Sequence, residues 1–233
     1  MRYKAIVIDV GRTMVWVPPF ADLYRQACQE QGVAVSLEAL QAATKQVWDR
    51  IVLEDATVNF APTATVNRHF WRLTNYRTLL LAGVEEKLAA IEEHFQEILD
   101  DPATFPIFPE IPNALAALST GEYVLGIVSN WGWCLPRICR QLGLARYFDF
   151  ILASSRVGCA KPHPGIFQRA LAIAGVAPAQ ALHVGDSVYA DMHGARAVGL
   201  DAVLLDRSDK EHSDYPVIRA LDELPAWLAA PGP

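Results

Sequence analysis

Four short stretches carry the residue types that chemistry needs. The first is AIVIDVGRTM, residues 5–14, in which one carboxylate, Asp9, interrupts an apolar, β-branched run. Such a run without alternation reads as a strand buried on both faces, as in a parallel sheet covered by helices. Asp9 then falls at the carboxyl end of the strand, which Gly11 breaks, and open α/β sheets bind ligands there. Capping a turn is the alternative role for such an acid. The second stretch is Ser129-Asn130, whose hydroxyl and backbone N–H groups could hold a phosphate or other oxyanion. The same pair is also an ordinary turn. The third is Lys161, in the otherwise uncharged loop GCAKPHP, placed either to neutralise a substrate oxygen or to meet solvent. The fourth is VGDSVYAD, residues 184–191, which sets Asp186 at a strand end and Asp191 on the following helical turn. Either acid could cap a helix. Two acids among glycines also make a site for a hard cation.

These stretches lie in a chain of 233 residues, 52% hydrophobic and 20% charged, which suits one or two globular domains with a real core. The formal charge of −6 is made of interleaved acids and bases, so no basic face points to nucleic acid. The apolar run near Met1 is too short for a signal peptide, and no later run approaches a membrane span. Cys28, Cys134, Cys139 and Cys159 form no CxxC pair and no metal spacing. They read as free thiols, and a cytoplasmic protein without a membrane partner is expected. His183, inside an apolar run, reads as a core histidine rather than a ligand.

The elements that must position these residues alternate in texture. After the first strand, residues 12–20 form a connector stiffened by Pro18-Pro19. Helical periodicity then takes over. One helix starts at Ala21 and stops near Gly32; a second, capped by Ser36, carries Leu37, Leu40, Ala43, Val47, Trp48 and Ile51 at three- and four-residue spacing. Further helices are expected over 63–81 and 84–99, and no strand between Phe20 and Asp100, so residues 17–100 form an all-helical insert. The Pro-rich stretch from Asp101 to Pro112 closes it. Strands are then expected over 123–129, 148–153, 181–185 and 202–205, separated by helices over 113–119, 135–142, 164–174 and 190–198, with a last helix over 222–228. Five strands with helical crossovers define an α/β fold, a parallel sheet covered on both faces.

The order Asp9…Thr13, Ser129-Asn130, Lys161-Pro162, Gly185-Asp186…Asp191 resembles the four motifs of the haloacid dehalogenase (HAD) superfamily. The spans SNWGWCLPRICRQLGLARYFDF, KPHPGIF and HVGDSVYADMHGARAVGL are similar to that family, and the likeness covers nearly the whole chain. It implies a Rossmann-like core of residues 1–16 and 101–233 with a helical cap over 17–100. Asp9 would be the nucleophile, forming an aspartyl-phosphate. Mg²⁺ would be held by Asp9, the backbone carbonyl of Gly11 and Asp186; Asp191 would bind it directly or through water, or orient Lys161. Thr13, Ser129, Asn130 and Lys161 would hold the phosphoryl group, Lys161 with a catalytic role. Electrostatics agrees with this implication: two carboxylates about 4 Å apart repel by roughly 4 kcal/mol at an effective dielectric near 20. That is about three pKa units, enough to protonate one acid and quench the nucleophile, and a divalent cation removes the penalty.

One position departs from the family pattern Asp-x-Asp-x-Thr. The second acid, the general acid and base of family phosphatases, is here Gly11. A glycine still offers a carbonyl but has no proton to give, and loss of a positioned acid/base costs about 10²–10⁴-fold in rate. A subgroup of capped family members likewise lacks this acid. Three readings follow. The first is a Mg²⁺-dependent phosphohydrolase acting on a small phosphorylated metabolite, slow or narrow, and least impaired on esters with good leaving groups such as aryl phosphates. The second is a non-catalytic phosphate-ligand binder or interaction protein on the same scaffold. The third, a haloacid dehalogenase, is opposed by Gly185-Asp186, since dehalogenases tend to carry Ser-Asn there and use no metal. The cap is expected to select substrate by closing over Asp9, with a hinge at residues 12–20 and 100–110. Arg50, Arg68, Arg72, Arg77, His69, Trp71 and Tyr76 are its candidates, and Trp131 and Trp133 either line the pocket or pack against the cap. A monomer or homodimer is expected.

Overall fold

A computed structural model describes residues 2–55, 59–208 and 214–230. Strand β1 (Ala5–Ile8) is followed by four helices, α1 (Phe20–Glu30), α2 (Leu37–Asp55), α3 (Ala64–Leu81) and α4 (Leu88–Asp100). Helix α5 (Ile111–Leu118) then leads into β2 (Val124–Ser129), α6 (Leu135–Gln141), β3 (Phe150–Ala153), α7 (Ser154–Val157) and α8 (Pro164–Ala174). Strand β4 (Ala181–Gly185) feeds a π-helical turn, Val188–His193, that continues as α9 (Gly194–Ala197). Strands β5 (Asp201–Leu205) and β6 (Val217–Ile218) and helix α10 (Leu224–Ala229) complete the chain. The strands form one parallel sheet in the order β3-β2-β1-β4-β5-β6, six strands among the described residues.

β1 lies in the middle because its residues can be buried on both sides. Ile6 and Ile8 face a layer built by Leu115 of α5, Ile138 of α6 and Leu224 of α10. Ala5 and Val7 face the opposite layer, with Phe167 and Leu171 of α8 and Ala195 of α9. A sheet covered on both faces has no solvent side to alternate with, which is why the sequence shows an unbroken apolar run. Ile8 pairs with Ile127 on one side and Val184 on the other, so all three strands end at one level.

The helices after β1 build their own core from the stripe that the periodicity marks. Leu23, Ala27 and Cys28 of α1 pack with Leu40, Leu79, Ile91 and Phe95 of the other three helices. Tyr24 and Phe95 stack at 4.0 Å with planes 3° apart. Thr63 caps α3 by accepting from the Val66 N–H at 3.2 Å. Two segments join this insert to the sheet, and they bind each other: the Trp16 N–H donates to the Pro106 carbonyl at 2.9 Å and the Phe108 N–H to the Met14 carbonyl at 3.1 Å. Among the described residues no helix is long and apolar enough to cross a membrane.

Four expectations need correction. The sheet has a sixth strand, β6, only two residues long and without an alternation to mark it. Helix α4 begins at Leu88 rather than Val84, because Lys87 is left-handed at φ +54° and donates its ammonium to the Gln31 carbonyl at 2.8 Å. The segment from Ala190 starts two residues earlier and in π-helical form, since Ser187 caps it through the Ala190 N–H at 3.1 Å. Helix α7, a single turn, is too short to leave a period in the sequence.

Candidate active site

Parallel strands ending at one level bring their following residues together. The Asp9 N–H donates to the Val184 carbonyl at 2.9 Å, which seats the Asp9 carboxylate between the ends of β2 and β4. Ser129 ends β2, and Asp186 follows β4 by one residue. Lys161 arrives from the loop between α7 and α8. Its backbone is clamped by the Asn130 side chain, whose Nδ2 donates to the Lys161 carbonyl at 2.8 Å and whose Oδ1 accepts from the Lys161 N–H at 2.6 Å. A Ser-Asn pair thus does two jobs: the serine hydroxyl faces Asp9 while the asparagine amide fixes the lysine loop.

Lys161 is 2% exposed and lies among carboxylates, its Nζ 2.7 Å from Asp9 Oδ1 and 2.5 Å from Asp191 Oδ1. The ammonium is thus shared between the two carboxylates, as a hydrogen bond to Asp191 and an ion pair with Asp9. Asp191 also accepts from His183 Nε2 at 2.8 Å and, on Oδ2, from the Ser187 N–H at 3.0 Å. Both of its oxygens are engaged, and its position fixes the ammonium. Gly185 makes this possible, because a Cβ at that position would stand 2.3 Å from the Asp191 carboxyl carbon. Thr13 is fully buried and its hydroxyl has no partner.

The charges do not balance. Asp9, Asp186 and Asp191 each offer an oxygen within 4.8 Å of the others, and Lys161 is the cation among them. Burial pushes the Asp9 carboxyl up, against the pull of Lys161. Burial, then the charges of Asp9 and Asp191, push Asp186 up to about 7. Burial also works against ionised Asp191, but the Lys161 charge and the His183 hydrogen bond outweigh it and hold this acid below the usual carboxylate range. Lys161 is raised despite its burial, by Asp191 first and Asp9 second. Three ionised acids against one ammonium leave a surplus of two negative charges. An all-oxygen donor set with that surplus fits a hard divalent cation.

Sequence reasoning missed two contributors. His183 is the fully buried core residue its apolar run suggests, but its ring also braces Asp191, and its Nδ1 has no partner. Its place on β4, one strand away from Asp9, is the signal that could have found it. Arg207, after β5, donates to the carbonyls of Arg12 at 3.3 Å and Thr13 at 2.8 Å, pairs with Glu110 at 2.6 Å and lies over the Phe108 ring at 3.6 Å. It holds the turn behind Asp9, in which Arg12 is left-handed at φ +57°. Nothing local in the sequence announces a contact across 194 positions. Of the cap candidates, Trp71 lines a cavity beside this site, as does Trp131. Arg68 pairs with buried Glu92 instead, His69, Arg72 and Arg77 are exposed, and Trp133 lies under Arg156 at 4.4 Å.

A parallel sheet with a helical insert after β1 and four acid–lysine elements at its carboxyl edge defines a hydrolase class. The chain belongs to the haloacid dehalogenase-like hydrolase family, which it matches over residues 3–199. It is 31% identical over 226 residues to haloacid dehalogenase-like hydrolase domain-containing protein 3 of Homo sapiens, covering 91% of this chain and 90% of that one. A phosphoserine phosphatase of Thermus thermophilus is 34% identical over 129 residues, 54% of this chain and 49% of the relative. In fold the chain is similar to the crystal structure of the HAD-hydrolase YfnB of Bacillus subtilis bound to magnesium, at 21% identity and a TM-score of 0.78, covering 99% of this chain and 100% of that one. Both phosphatases and 2-haloacid dehalogenases occur among the similar proteins.

Proposed function

We propose that the protein is a magnesium-dependent phosphohydrolase that cleaves a small phosphate monoester through an aspartyl-phosphate on Asp9, acting in the cytoplasm. The observation that carries this reading is the buried Lys161 ammonium, 2.7 Å from the Asp9 carboxylate, in a site with acid to spare for a second cation. Asp9, Asp186 and the Gly11 carbonyl would hold the Mg²⁺, which when bound supplies positive charge to the phosphoryl oxygens and lets Asp9 and Asp186 ionise together. Asp191, with both oxygens already engaged, positions Lys161 rather than ligating directly.

The chain's own groups do the rest. Thr13 Oγ1, Ser129 Oγ, the Asn130 N–H and the Lys161 ammonium bind and orient the phosphoryl oxygens, and the unpartnered Thr13 hydroxyl supports that role. An Asp9 oxygen attacks phosphorus as the ester P–O bond breaks, and the leaving oxygen keeps the electron pair. With Gly11 in the acid position that oxygen takes its proton from water. A water molecule then attacks phosphorus, the Asp9–phosphorus bond breaks, and inorganic phosphate leaves with Asp9 restored.

Gly11 favours a second reading, ligand binding without turnover, because no side chain stands where the proton donor would. The haloacid dehalogenase reading ranks last, since Asp186 adds a partly buried third acid that metal-free chemistry would leave uncompensated. The deciding experiment is hydrolysis of p-nitrophenyl phosphate with Mg²⁺ by the native protein and by Asp9→Asn. Turnover lost in Asp9→Asn supports the hydrolase. A folded native protein that releases no phosphate from this or other esters supports the binder.

A further inference from the structure

Between the helical insert and the sheet lies a cavity of about 160 Å³. Its walls are aromatic: Trp48, Phe70 and Trp71 come from the insert and Trp131 from the core. The rings brace one another, Trp48 against Trp71 at 5.7 Å, Phe70 edge-on to Trp71 at 5.3 Å, and Trp131 edge-on to Phe105 at 4.8 Å. Among the described residues no charged side chain lines it. Asn130 and Ala160 do, and they are the chain neighbours of Ser129 and Lys161. The Trp131 ring also stands 3.5 Å from where a Cβ on Gly11 would be. The cavity therefore lies beside the Asp9 site, bordered by residues next to it in the chain.

One polar atom in it lacks a partner. Ser155 lines the cavity, is 2% exposed, and its hydroxyl makes no hydrogen bond. A buried hydroxyl left unpaired is costly, and the neighbouring Ser154 hydroxyl avoids that cost by bonding the Trp131 N–H at 3.2 Å. Ser155 is the orphan of the pair. It stands in a largely apolar wall that Asn67, Asn130 and Ser154 also share, where a bound molecule could satisfy it.

We infer that the ester taken by this site carries a single uncharged aromatic ring with one hydroxyl or carbonyl group that pairs with Ser155 Oγ. This rests on the phosphohydrolase reading for the phosphate end, and on the cavity for the ring. Size is the first argument: a dry apolar cavity of about 150 Å³ admits benzene, so this one has room for one six-membered ring. Polarity is the second, because among the described residues the indole and phenyl walls carry no counter-ion for the ammonium and carboxylate of an amino acid. Gly11 is consistent with both. A ring bonded directly to the ester oxygen leaves as a phenolate, whose conjugate acid has a pKa of about 10 as in tyrosine, so departure needs no protein acid.

The test separates ring recognition from leaving-group chemistry by comparing benzyl phosphate with ethyl phosphate, both of which release an alkoxide. With Mg²⁺, kcat/KM for benzyl phosphate should exceed that for ethyl phosphate by about tenfold or more, and Trp71→Ala, its fold verified by circular dichroism, should erase most of the difference. Among the ring-hydroxylated benzyl phosphates, one isomer should outrun the parent ester, and that gain should vanish in Ser155→Ala. Equal rates for benzyl and ethyl phosphate, or a ring preference that survives Trp71→Ala, would overturn the inference. Titration calorimetry with benzylphosphonate and ethylphosphonate reads the ring pocket without turnover. Tighter benzylphosphonate binding by a protein that hydrolyses no ester upholds the ring pocket and sinks the hydrolase reading; equal binding sinks the ring pocket itself.

Discussion

Lys161 and the three acids around it set the behaviour of the site through a charge count, and the count is testable by pH. Asp186 is pushed up to about 7, by burial first and then by Asp9 and Asp191. Between the ordinary carboxylate range and about 7 the folded protein thus binds more protons than the unfolded chain. The stability this proton lends is complete below the ordinary range and is lost as pH rises through about 7. Asp191 runs the other way: held low by Lys161 and His183 against its burial, it adds stability above its ordinary pKa that is lost only in strong acid. In chelator, the melting temperature should therefore fall between about pH 4 and about pH 7, and Mg²⁺ should restore it at the upper end while doing little at the lower. A flat profile in chelator would contradict the count. Gly11 is the second residue whose chemistry can be read directly. A Cβ there would meet Val17 Cγ2 at 3.3 Å and the Trp131 ring at 3.5 Å, so Gly11→Asp fits with a small shift of the Val17 side chain. Steady-state rates should show Gly11→Asp raising turnover of alkyl phosphates by up to about 10²-fold while leaving aryl phosphates nearly unchanged.

At the scale of elements, the site is the common end of β1, β2 and β4 together with the turn that leaves each strand. The turn after β4 is the tightest. Gly185 lets the π-helical turn Val188–His193 swing Asp191 back against the strand end, and Ser187 caps that turn from below. Gly185→Ala places a methyl group 2.3 Å from the Asp191 carboxyl carbon, a clash with a buried side chain that is bonded on three sides. Overpacking of this kind costs about 1–3 kcal/mol, and urea denaturation should show a loss in that range. Displacing Asp191 also releases Lys161, so kcat should fall more than the stability loss alone explains. The turn after β1 depends on a distant element instead, since Arg207 grips the Arg12 and Thr13 carbonyls from beyond β5.

The whole molecule is a parallel α/β core with a helical insert folded over one end, and the division into residues 1–16 and 101–233 against 17–100 is our proposal for its two bodies. Three contacts tie the insert down near the cavity: the Phe60 N–H to the Gly158 carbonyl at 2.8 Å, the Trp133 N–H to Asn67 Oδ1 at 3.2 Å, and Arg137 to Asp100 at 2.8 Å. We propose that the insert opens and closes, with residues 12–20 and 100–110 as the hinge. Small-angle scattering should show a smaller radius of gyration with Mg²⁺ and a phosphate mimic than without, and identical curves would count against closure. The sequence by itself determined the α/β class, the helical insert after β1 and the residues with chemistry to offer, because each leaves a local mark: an unbroken apolar run, a three-to-four period, a carboxylate or lysine among apolar residues. Periodicity even located Trp48 on its helix. It could not show that Trp48, Trp71, Trp131 and Ser155 would close around one cavity, nor that His183 would brace Asp191, nor that Arg207 would reach Thr13. Those relations are contacts between elements. They follow from which strands lie side by side and how the insert folds back, and short-range pattern carries no record of either.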